Sequence, residues 1–458
     1  MSEEKLPKGW KKTILGKVTS WSSGGTPNRG VSHYYNGRIP WIKTGDLNDG
    51  VLYESSEFIS DEGLKNSSAK LFPKGSIAMA MYGATIGKTA IFGIEASTNQ
   101  ACAVAKPSDL INHKFLFYFL KSQKKEFVEK GKGGAQPNIS LTVIKNHLIN
   151  LPSIPEQQRI VEKLNTIFGH LDVLREKLDR IPVLLKNFRK QVLIKAVTGE
   201  LTGDLEIVDY FILESSITIG NEIQVKPKKW RWCMLTELAR LESGHTPRKS
   251  CEDYWEKGNV PWISLQDIRS AHGKVINDTK YMPNQKGIEN SSARMLPAGT
   301  VCFSRDISVG FSTIMGREMA TSQHFANWIC GENLSNKFLL YAFMASRDYL
   351  IGEGKGTTVG TIYMPALKQM HILLPPLDIQ NEIVKQLDTL FDLADKIESQ
   401  YQSLKAKINQ MPQAILAKAF RGELVGQEVK DYVRETGEVI MAAEDFLEYN
   451  ISIKNKNI

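Results

Sequence analysis

The fold is decided by the segment LPSIPEQQRIVEKLNTIF at residues 151–168, which returns as LPPLDIQNEIVKQLDTLF at residues 374–391. After each Leu-Pro pair, apolar residues recur at alternating steps of four and three residues, which is the heptad pattern of a coiled coil. We call them the seam residues: Ile160, Leu164, Ile167, Leu171, Leu174 and Leu178 in the first copy, and Ile383, Leu387, Leu390, Ile397, Tyr401 and Leu404 in the second.

Each seam predicts a long helix that ends near a glycine, Gly199 in the first copy and Gly422 in the second. Pro182 and Pro412 lie inside the two patterns and predict a kink or an interruption, because proline removes one backbone hydrogen bond. The simplest apolar partner for the second helix is the first, in antiparallel orientation. A helix packed only on its own globular domain remains the alternative.

The sequence outside these helices is also an internal repeat, in which corresponding motifs lie 220 to 224 residues apart. PKGW at residues 7–10 corresponds to PKKW at 227–230, and GGTP at 24–27 corresponds to GHTP at 244–247. IPWI at 39–42 corresponds to VPWI at 260–263. We call these shared motifs the landmarks. The sequences between them hardly agree between the two copies, which indicates a common fold, or frame, that carries two different surfaces.

The net charge of +8 is concentrated in two blocks. Residues 1–150 hold 20 Lys and Arg against 12 Asp and Glu, and residues 226–373 hold 19 against 13. All eight tryptophans fall in these blocks, and most of them are expected in the core. A modest basic excess is also typical of an ordinary solvated surface, but two separate basic blocks make a polyanionic partner more attractive.

The rest of the composition excludes several classes of protein. No stretch is apolar enough to span a membrane and no secretion signal opens the chain, so we expect a cytoplasmic protein with no membrane contact. The five cysteines never fall as C-x-x-C, which disfavours a structural zinc site or a disulfide framework. The eight scattered histidines do not predict a metal site.

One segment imitates a nucleotide-binding motif. Gly83 and Gly87-Lys88-Thr89 are separated by three residues, whereas a phosphate-binding P-loop needs four. The corresponding part of the second copy, from Arg305 to Gly310, has no Gly-Lys-Thr at all. The segment is therefore expected to be a turn between strands. Neither an Asn/Asp-Pro-Pro-aromatic methylation motif nor H-E-x-x-H occurs, so the sequence predicts no catalytic residue and no cofactor in this chain.

DNA bases are read by side chains that can pair with groove edges, and polar residues of this kind lie beside the shared landmarks. The candidates for DNA binding are Arg29, Lys43, Thr44, Tyr82, Thr85, Lys88, Asn99, Gln100 and Lys132 in the first copy, and Arg248, Ser264, Gln266, Arg305, Gln323, His324 and Lys355 in the second. Lys132 and Lys355, in glycine-rich segments, suit phosphate contacts. Asp46 and Asp267 match between the copies and can equally be turn or cap residues.

Taken together, GGTP, IPWIKTGDL at 39–47, the two Leu-Pro segments, and LIKAVTGELTG at 193–203 with LAKAFRGELVG at 416–426 resemble the specificity subunits of type I restriction–modification enzymes. The resemblance covers the chain to about residue 426. It implies an α+β protein with two target-recognition domains, each reading half of a split, asymmetric DNA sequence. It also implies helices that dock two modification subunits, with two restriction subunits completing the complex. S-adenosylmethionine, ATP and Mg²⁺ would then belong to those partner subunits.

The expected architecture is a tandem duplication of a target-recognition domain and a long spacer helix, with the two helices paired as an antiparallel coiled coil. Its predicted boundaries are residues 1–150 and 226–373 for the recognition domains, 151–200 and 374–425 for the helical regions, 201–225 for a linker and 426–458 for a tail. Two rival functions stay open: a stand-alone DNA methyltransferase or nuclease, and a coiled-coil scaffold that binds only protein.

Overall fold

The computed structural model of the protein describes residues 6–131, 137–201, 205–207, 217–219, 225–354 and 360–424. The chain divides into two units that mix the two halves of the sequence. Unit 1 holds the described residues within 1–179 and 401–443, and unit 2 holds those within 180–400. Each unit therefore contains one globular domain, which we call by its predicted name of recognition domain, together with part of each long helix.

The recognition domain of unit 1 is built from short strands and short helices. Its strands are β1 Lys11–Ile14, β2 Trp21–Ser23, β3 Ile39–Ile42, β4 Val51–Leu52, β5 Glu57–Ile59, β6 Leu71–Phe72, β7 Ile77–Ala80, β8 Thr89–Phe92, β9 Ala96–Thr98, β10 Cys102–Ala105 and β11 Leu148–Leu151. Its helices are α1 Leu15–Val18, α2 Asp61–Lys65, α3 His113–Ser122, α4 Lys124–Lys130 and α5 Leu141–Lys145. The long helix α6, Ile154–Thr198, follows at once.

The recognition domain of unit 2 follows a similar plan, and its first two strands lie in the segment 201–225 that the sequence predicts to be a linker. Its strands are β12 Leu205–Ile207, β13 Thr218–Ile219, β14 Val225–Pro227, β15 Arg231–Met234, β16 Ala239–Ser243, β17 Trp262–Ile263, β18 Val275–Ile276, β19 Val301–Ser304, β20 Ser312–Met315, β21 Ala320–Thr321, β22 Phe325–Cys330 and β23 His371–Leu374. Its helices are α7 Leu235–Leu238, α8 Leu265–Ser270, α9 Gln285–Glu289, α10 Asn336–Ala345, α11 Arg347–Gly352 and α12 Met364–Lys368, and the long helix α13, Leu377–Phe420, follows.

The largest sheet has the same topology in both domains. Its strand order is β2-β10-β7-β8-β4 in unit 1 and β16-β22-β19-β20-β18 in unit 2. Only the edge pairs β4–β8 and β18–β20 are parallel, and the other pairs of these sheets are antiparallel. Matching topology, strand by strand, agrees with the duplication predicted from the landmarks.

Each domain closes on itself before its long helix begins. The first strand β1 pairs with the last strand β11, and β15 pairs in the same antiparallel manner with β23. Six of the eight tryptophans are buried, as predicted; they are Trp10, Trp21, Trp41, Trp230, Trp262 and Trp328. Trp232 is 38% exposed and Trp255 is half-buried.

A buried glutamine fixes the start of each long helix to its own domain. Gln157 accepts a hydrogen bond from the backbone N–H of Asn112 at 2.8 Å and donates to the carbonyl of Pro152 at 2.9 Å. Gln380 makes the equivalent bonds, to the N–H of Ser335 at 2.8 Å and to the carbonyl of Pro375 at 2.9 Å. Both side chains are almost wholly buried, so these bonds set the direction in which each helix leaves its domain.

The long helices pair along their seams. Within unit 1, Lys405 of α13 donates to Asp179 of α6 at 3.1 Å, and Phe168 and Leu416 line one cavity further along. Residue numbers thus fall along α6 while they rise along α13, which is the predicted antiparallel arrangement. Ten of the twelve seam residues are buried, and the other two, Leu390 and Leu404, are half-buried. Within unit 2, Arg189 of α6 bridges Asp395 and Glu398 of α13.

The prolines do not interrupt these helices, so the predicted interruption is wrong, whereas the alternative of a kink stays a prediction. Helix α6 runs through Pro182 and helix α13 runs through Pro412. Buried apolar residues on either side of Pro182, such as Ile181 and Leu185, pack the neighbouring turns and keep the helix continuous. The predicted glycine stops are confirmed: Gly199 and Gly422 follow the helix ends with φ of +82° and +79°.

Gly169 offers a test of helix α6. It lies exposed in the helix, and a Cβ there would meet no atom within 4 Å. Gly169→Ala is therefore expected to raise the free energy of unfolding by about 0.5–1 kcal/mol, because alanine loses less backbone entropy than glycine in a helix. The denaturation midpoint measures this. Gly199→Ala is the matched control and should lower the midpoint, since its Cβ would lie 2.1 Å from Pro227. Equal shifts of the denaturation midpoint for both variants would contradict the assignment of Gly169 to an exposed position inside helix α6.

Candidate nucleic-acid interface

The GGTP and GHTP landmarks cross the same strand end in both domains. The N–H of Gly25 donates to the carbonyl of Thr98 at 2.9 Å, and the indole of Trp41 donates to the carbonyl of Gly25 at 3.0 Å. In unit 2, His245 donates to Thr321 at 2.9 Å and Trp262 donates to His245 at 3.0 Å. The landmark is therefore a structural frame, pinned by a buried tryptophan.

This frame presents one exposed bridge in each domain that sequence reasoning found only in part. The hydroxyl of Thr26 donates to the side-chain oxygen of Gln100, and that of Thr246 donates to Gln323 at 2.5 Å. Both glutamines were candidates, whereas the threonines were treated only as landmarks. In both domains a threonine hydroxyl binds the side-chain oxygen of the glutamine. The glutamine NH₂ group is therefore presented in a fixed orientation, which suits the reading of an adenine edge.

Beside the bridge of unit 1, Arg29 and Lys43 share Glu57. The guanidinium of Arg29 lies 2.7 Å from the Glu57 carboxylate and stacks over the rings of Tyr35 and Trp41, at 4.3 and 4.9 Å from their centroids. Arg29, followed by Lys43, holds the pKa of Glu57 below its usual value. Glu57 was not predicted. Its ion pairs fix both cations at the surface, with the Arg29 side chain 54% exposed.

A second loop brings further candidates to this surface. The N–H of Asn99 donates to the carbonyl of Ile42 at 3.0 Å, which places Asn99 beside Lys43 and the half-buried Thr44. The N–H of Met81 donates to the carbonyl of Ala101 at 2.9 Å, which places the following turn next to Gln100. The structure thus joins these candidates into one surface.

The segment that imitates a P-loop is that turn, as predicted. Residues Gly83–Thr85 form a short 3₁₀ turn between β7 and β8. Tyr82 is 45% exposed, and the hydroxyl of Thr85 donates to its carbonyl at 2.9 Å. Lys88 is half-buried. The turn presents an aromatic ring and a hydroxyl to solvent beside Gln100.

The equivalent turn of unit 2 carries different chemistry on the same frame. Arg305 donates from its guanidinium to the carbonyl of Gln323 at 3.1 Å. His324 lies 2.5 Å from the carboxylate of Asp306. Asp306 was not predicted, and it replaces Tyr82 of unit 1 as the second residue after the strand. A hydrogen-bonded group of Arg305, Asp306 and His324 therefore lies where the first domain has an aromatic ring.

Among the remaining candidates of unit 2, some side chains are exposed and others cap a helix or a turn. Gln266 is exposed and accepts a bond from Lys280 at 3.1 Å, and Arg248 is exposed. Ser264 is 9% exposed and its hydroxyl caps helix α8 together with Asp267, which argues against a base contact for this residue. Asp46 accepts from the N–H of Lys43 at 2.8 Å. Both matched aspartates thus accept the hydrogen bonds of a cap or a turn.

Lys132 and Lys355 lie outside the described residues. The residues that follow them in the chain lie against the two turns: Pro137 accepts a bond from the N–H of Gly83 at 2.9 Å, and Thr361 pairs with Asp306. Within the described ranges, no group of His, Cys, Asp and Glu side chains could hold a metal ion, and no helix has the length and apolarity to cross a membrane.

Comparison with known proteins gives a consistent result. The family model described as "Type I restriction modification DNA specificity domain" matches residues 7–183 and 227–407. The StySPI specificity subunit of Salmonella potsdam is 27% identical over 93% of this chain and 92% of its own length, and the EcoDI specificity subunit of Escherichia coli is 28% identical over 93% and 91%. The crystal structure of the HsdS subunit from Thermoanaerobacter tengcongensis, 19% identical, shares the fold with a TM-score of 0.62 over 92% of this chain and 99% of that one.

Proposed function

The chain belongs to the family of type I restriction–modification DNA specificity proteins, and we propose from this premise that each recognition domain reads one half of a bipartite DNA target. It is the specificity subunit of such a system and supplies DNA recognition without catalysis. The observation that carries the proposal is the pair of exposed surfaces, which share a Thr–Gln bridge and a tryptophan-pinned frame yet differ in their other side chains.

The two surfaces suit different sequences because their chemistry differs. Beside the shared glutamine, the first offers Arg29, Lys43 and Tyr82, and the second offers Arg305 and the His324–Asp306 pair. Arginine and lysine pair with guanine, and glutamine pairs with adenine. Much of the affinity would come from phosphate contacts, which carry no sequence information.

The long helices support a proposal about the gap between the half-sites and about partners. Helices of 45 and 44 residues have a length of about 66 Å at 1.5 Å per residue, and successive major grooves on one face of DNA are about 34–36 Å apart. We propose that helix length sets the gap, and that the subunit binds DNA in the cytoplasm with two modification subunits and, in the full complex, two restriction subunits.

Exchange of residues 1–150 for those of a relative with another target tests the independence of the two reading surfaces. We expect one half-site to change while the other half-site and the gap stay the same, because β1 pairs with β11 and closes the domain before α6 begins. Long-read methylation mapping of the host genome reports both half-sites and the gap together. A change in both half-sites would contradict the proposal.

Two further measurements separate this function from its rivals. Turnover by the purified chain with DNA and S-adenosylmethionine, or with ATP and Mg²⁺, would show an enzyme rather than a specificity subunit. Binding of duplex DNA by the assembled complex should depend on both salt and sequence. Complete indifference to sequence would instead favour a scaffold that binds only protein.

A further inference from the structure

The turn between β19 and β20 contains a strained residue, Ile307. Its φ is +55°, in the left-handed region that a β-branched residue rarely adopts. The N–H of Ser308 donates to the carbonyl of Asp306, so this bond spans Ile307 alone. A turn of this kind with positive φ is the rare and strained form. The backbone at Ile307 is therefore held at a cost to stability.

Bonds on both sides of Ile307 impose this conformation. Before it, the N–H of Arg305 donates to the carbonyl of His324 at 3.0 Å, and the N–H of Ile362 donates to the carbonyl of Arg305 at 2.8 Å. After it, the buried hydroxyl of Ser308 accepts a bond from Arg269 at 2.8 Å. Strain of this sort persists only where the surroundings fix it, and it concentrates at functional sites.

The first domain shows which type of residue the turn itself requires at this position. Gly83 is the third residue after β7, as Ile307 is after β19, and its φ is +64°. A Cβ on Gly83 would meet no atom within 4 Å, so the position faces open space. Glycine satisfies the turn without strain. Isoleucine at the same position needs a reason other than folding.

The surroundings of Ile307 provide that reason. Ile307 is 51% exposed, beside Arg305 and the Asp306–His324 pair. An apolar side chain held out among polar ones gains nothing from water, whereas in the major groove it can contact the C5-methyl group of thymine. We infer that Ile307 contacts a thymine methyl group and determines specificity at one A·T pair of the half-site read by the second domain. This inference rests on the proposed function.

The test removes the methyl group from the DNA and the isoleucine from the protein, separately and together. Once methylation mapping has given the target, the assembled complex is titrated with duplexes that carry deoxyuridine in place of each thymidine of one half-site. For the wild-type complex, one replacement in the second domain's half-site should weaken binding about four-fold, the factor for one buried methyl group. Ile307→Gly should weaken binding to the thymine duplex by at least as much, and its complex should bind the thymine and uracil duplexes equally.

Two controls keep the outcome specific. The melting temperature of Ile307→Gly should equal or exceed that of the wild type, because glycine relieves the strain; a fall would mean that Ile307 is structural. Replacements in the half-site read by the first domain should affect both complexes equally. The inference is overturned if the wild type is insensitive to every replacement in its half-site, if the variant keeps the same sensitivity, or if that half-site has no A·T pair. Loss of all sequence preference in the wild type would instead overturn the proposed function.

Discussion

Gly24→Ala is expected to remove recognition by the first domain and with it methylation of the natural target. A Cβ at Gly24 would lie 2.1 Å from both the carbonyl oxygen and the hydroxyl of Thr98. That carbonyl accepts the N–H of Gly25, so any shift that relieves the clash weakens the bond that fixes the landmark. Overpacking of this severity costs about 3 kcal/mol. Because Thr26 follows directly, its bridge to Gln100 should be lost as well.

Thermal unfolding of the purified complex and methylation mapping together measure this effect. Gly45→Ala is the matched control in the same domain, because its Cβ would meet no atom within 4 Å, and its melting temperature should stay at the wild-type value. Gly244→Ala should reproduce the loss in the second domain, where a Cβ would lie 2.1 Å from the Thr321 hydroxyl. Normal melting and normal methylation for Gly24→Ala would show that the landmark is dispensable.

The sequence predicted those parts of the fold that depend on short-range pattern. The seam could be predicted because residues such as Ile160 and Leu164 recur at helical spacing, and their burial follows from that spacing alone. The landmarks were legible because both copies need the same close approach, at Gly24 and at Gly244. A backbone that passes within van der Waals contact of another strand leaves no room for a side chain.

The candidate surface was harder to predict because its contacts join distant parts of the chain. Thr26 meets Gln100 across 74 residues, and Lys43 meets Glu57 across 14. Propensity and spacing carry no signal for such pairs, so Glu57 and Asp306 were missed. The strain at Ile307 was equally invisible, since only the alignment of its turn with that of Gly83 shows that glycine would suffice. The predicted interruption at Pro182 and Pro412 was wrong for a related reason, because the packing of the long helices outweighs the local effect of a proline.

Deletion of one heptad from each helix is expected to shorten the gap between the half-sites while leaving both half-site sequences unchanged. Residues 179–185 of α6 and 398–404 of α13 are suitable, because each deletion removes seven residues and restores the seam register. Leu178 is then followed by Phe188 at the spacing of Ile181, and Ile397 by Ile408 at the spacing of Tyr401. Seven helical residues span about 10.5 Å, which corresponds to about three base pairs of DNA.

The control for this prediction is a deletion in one helix alone. Loss of residues 179–185 without 398–404 leaves α13 six residues longer than α6, so buried residues such as Tyr401 would lose their apolar neighbours. We expect that single deletion to abolish assembly, with unfolding at a lower temperature, whereas the paired deletion keeps a complete seam. Methylation mapping then gives a direct answer. An unchanged gap in the paired deletion would mean that the DNA spacing is set elsewhere, in the partner subunits or in the recognition domains, and that the helices only hold the units together.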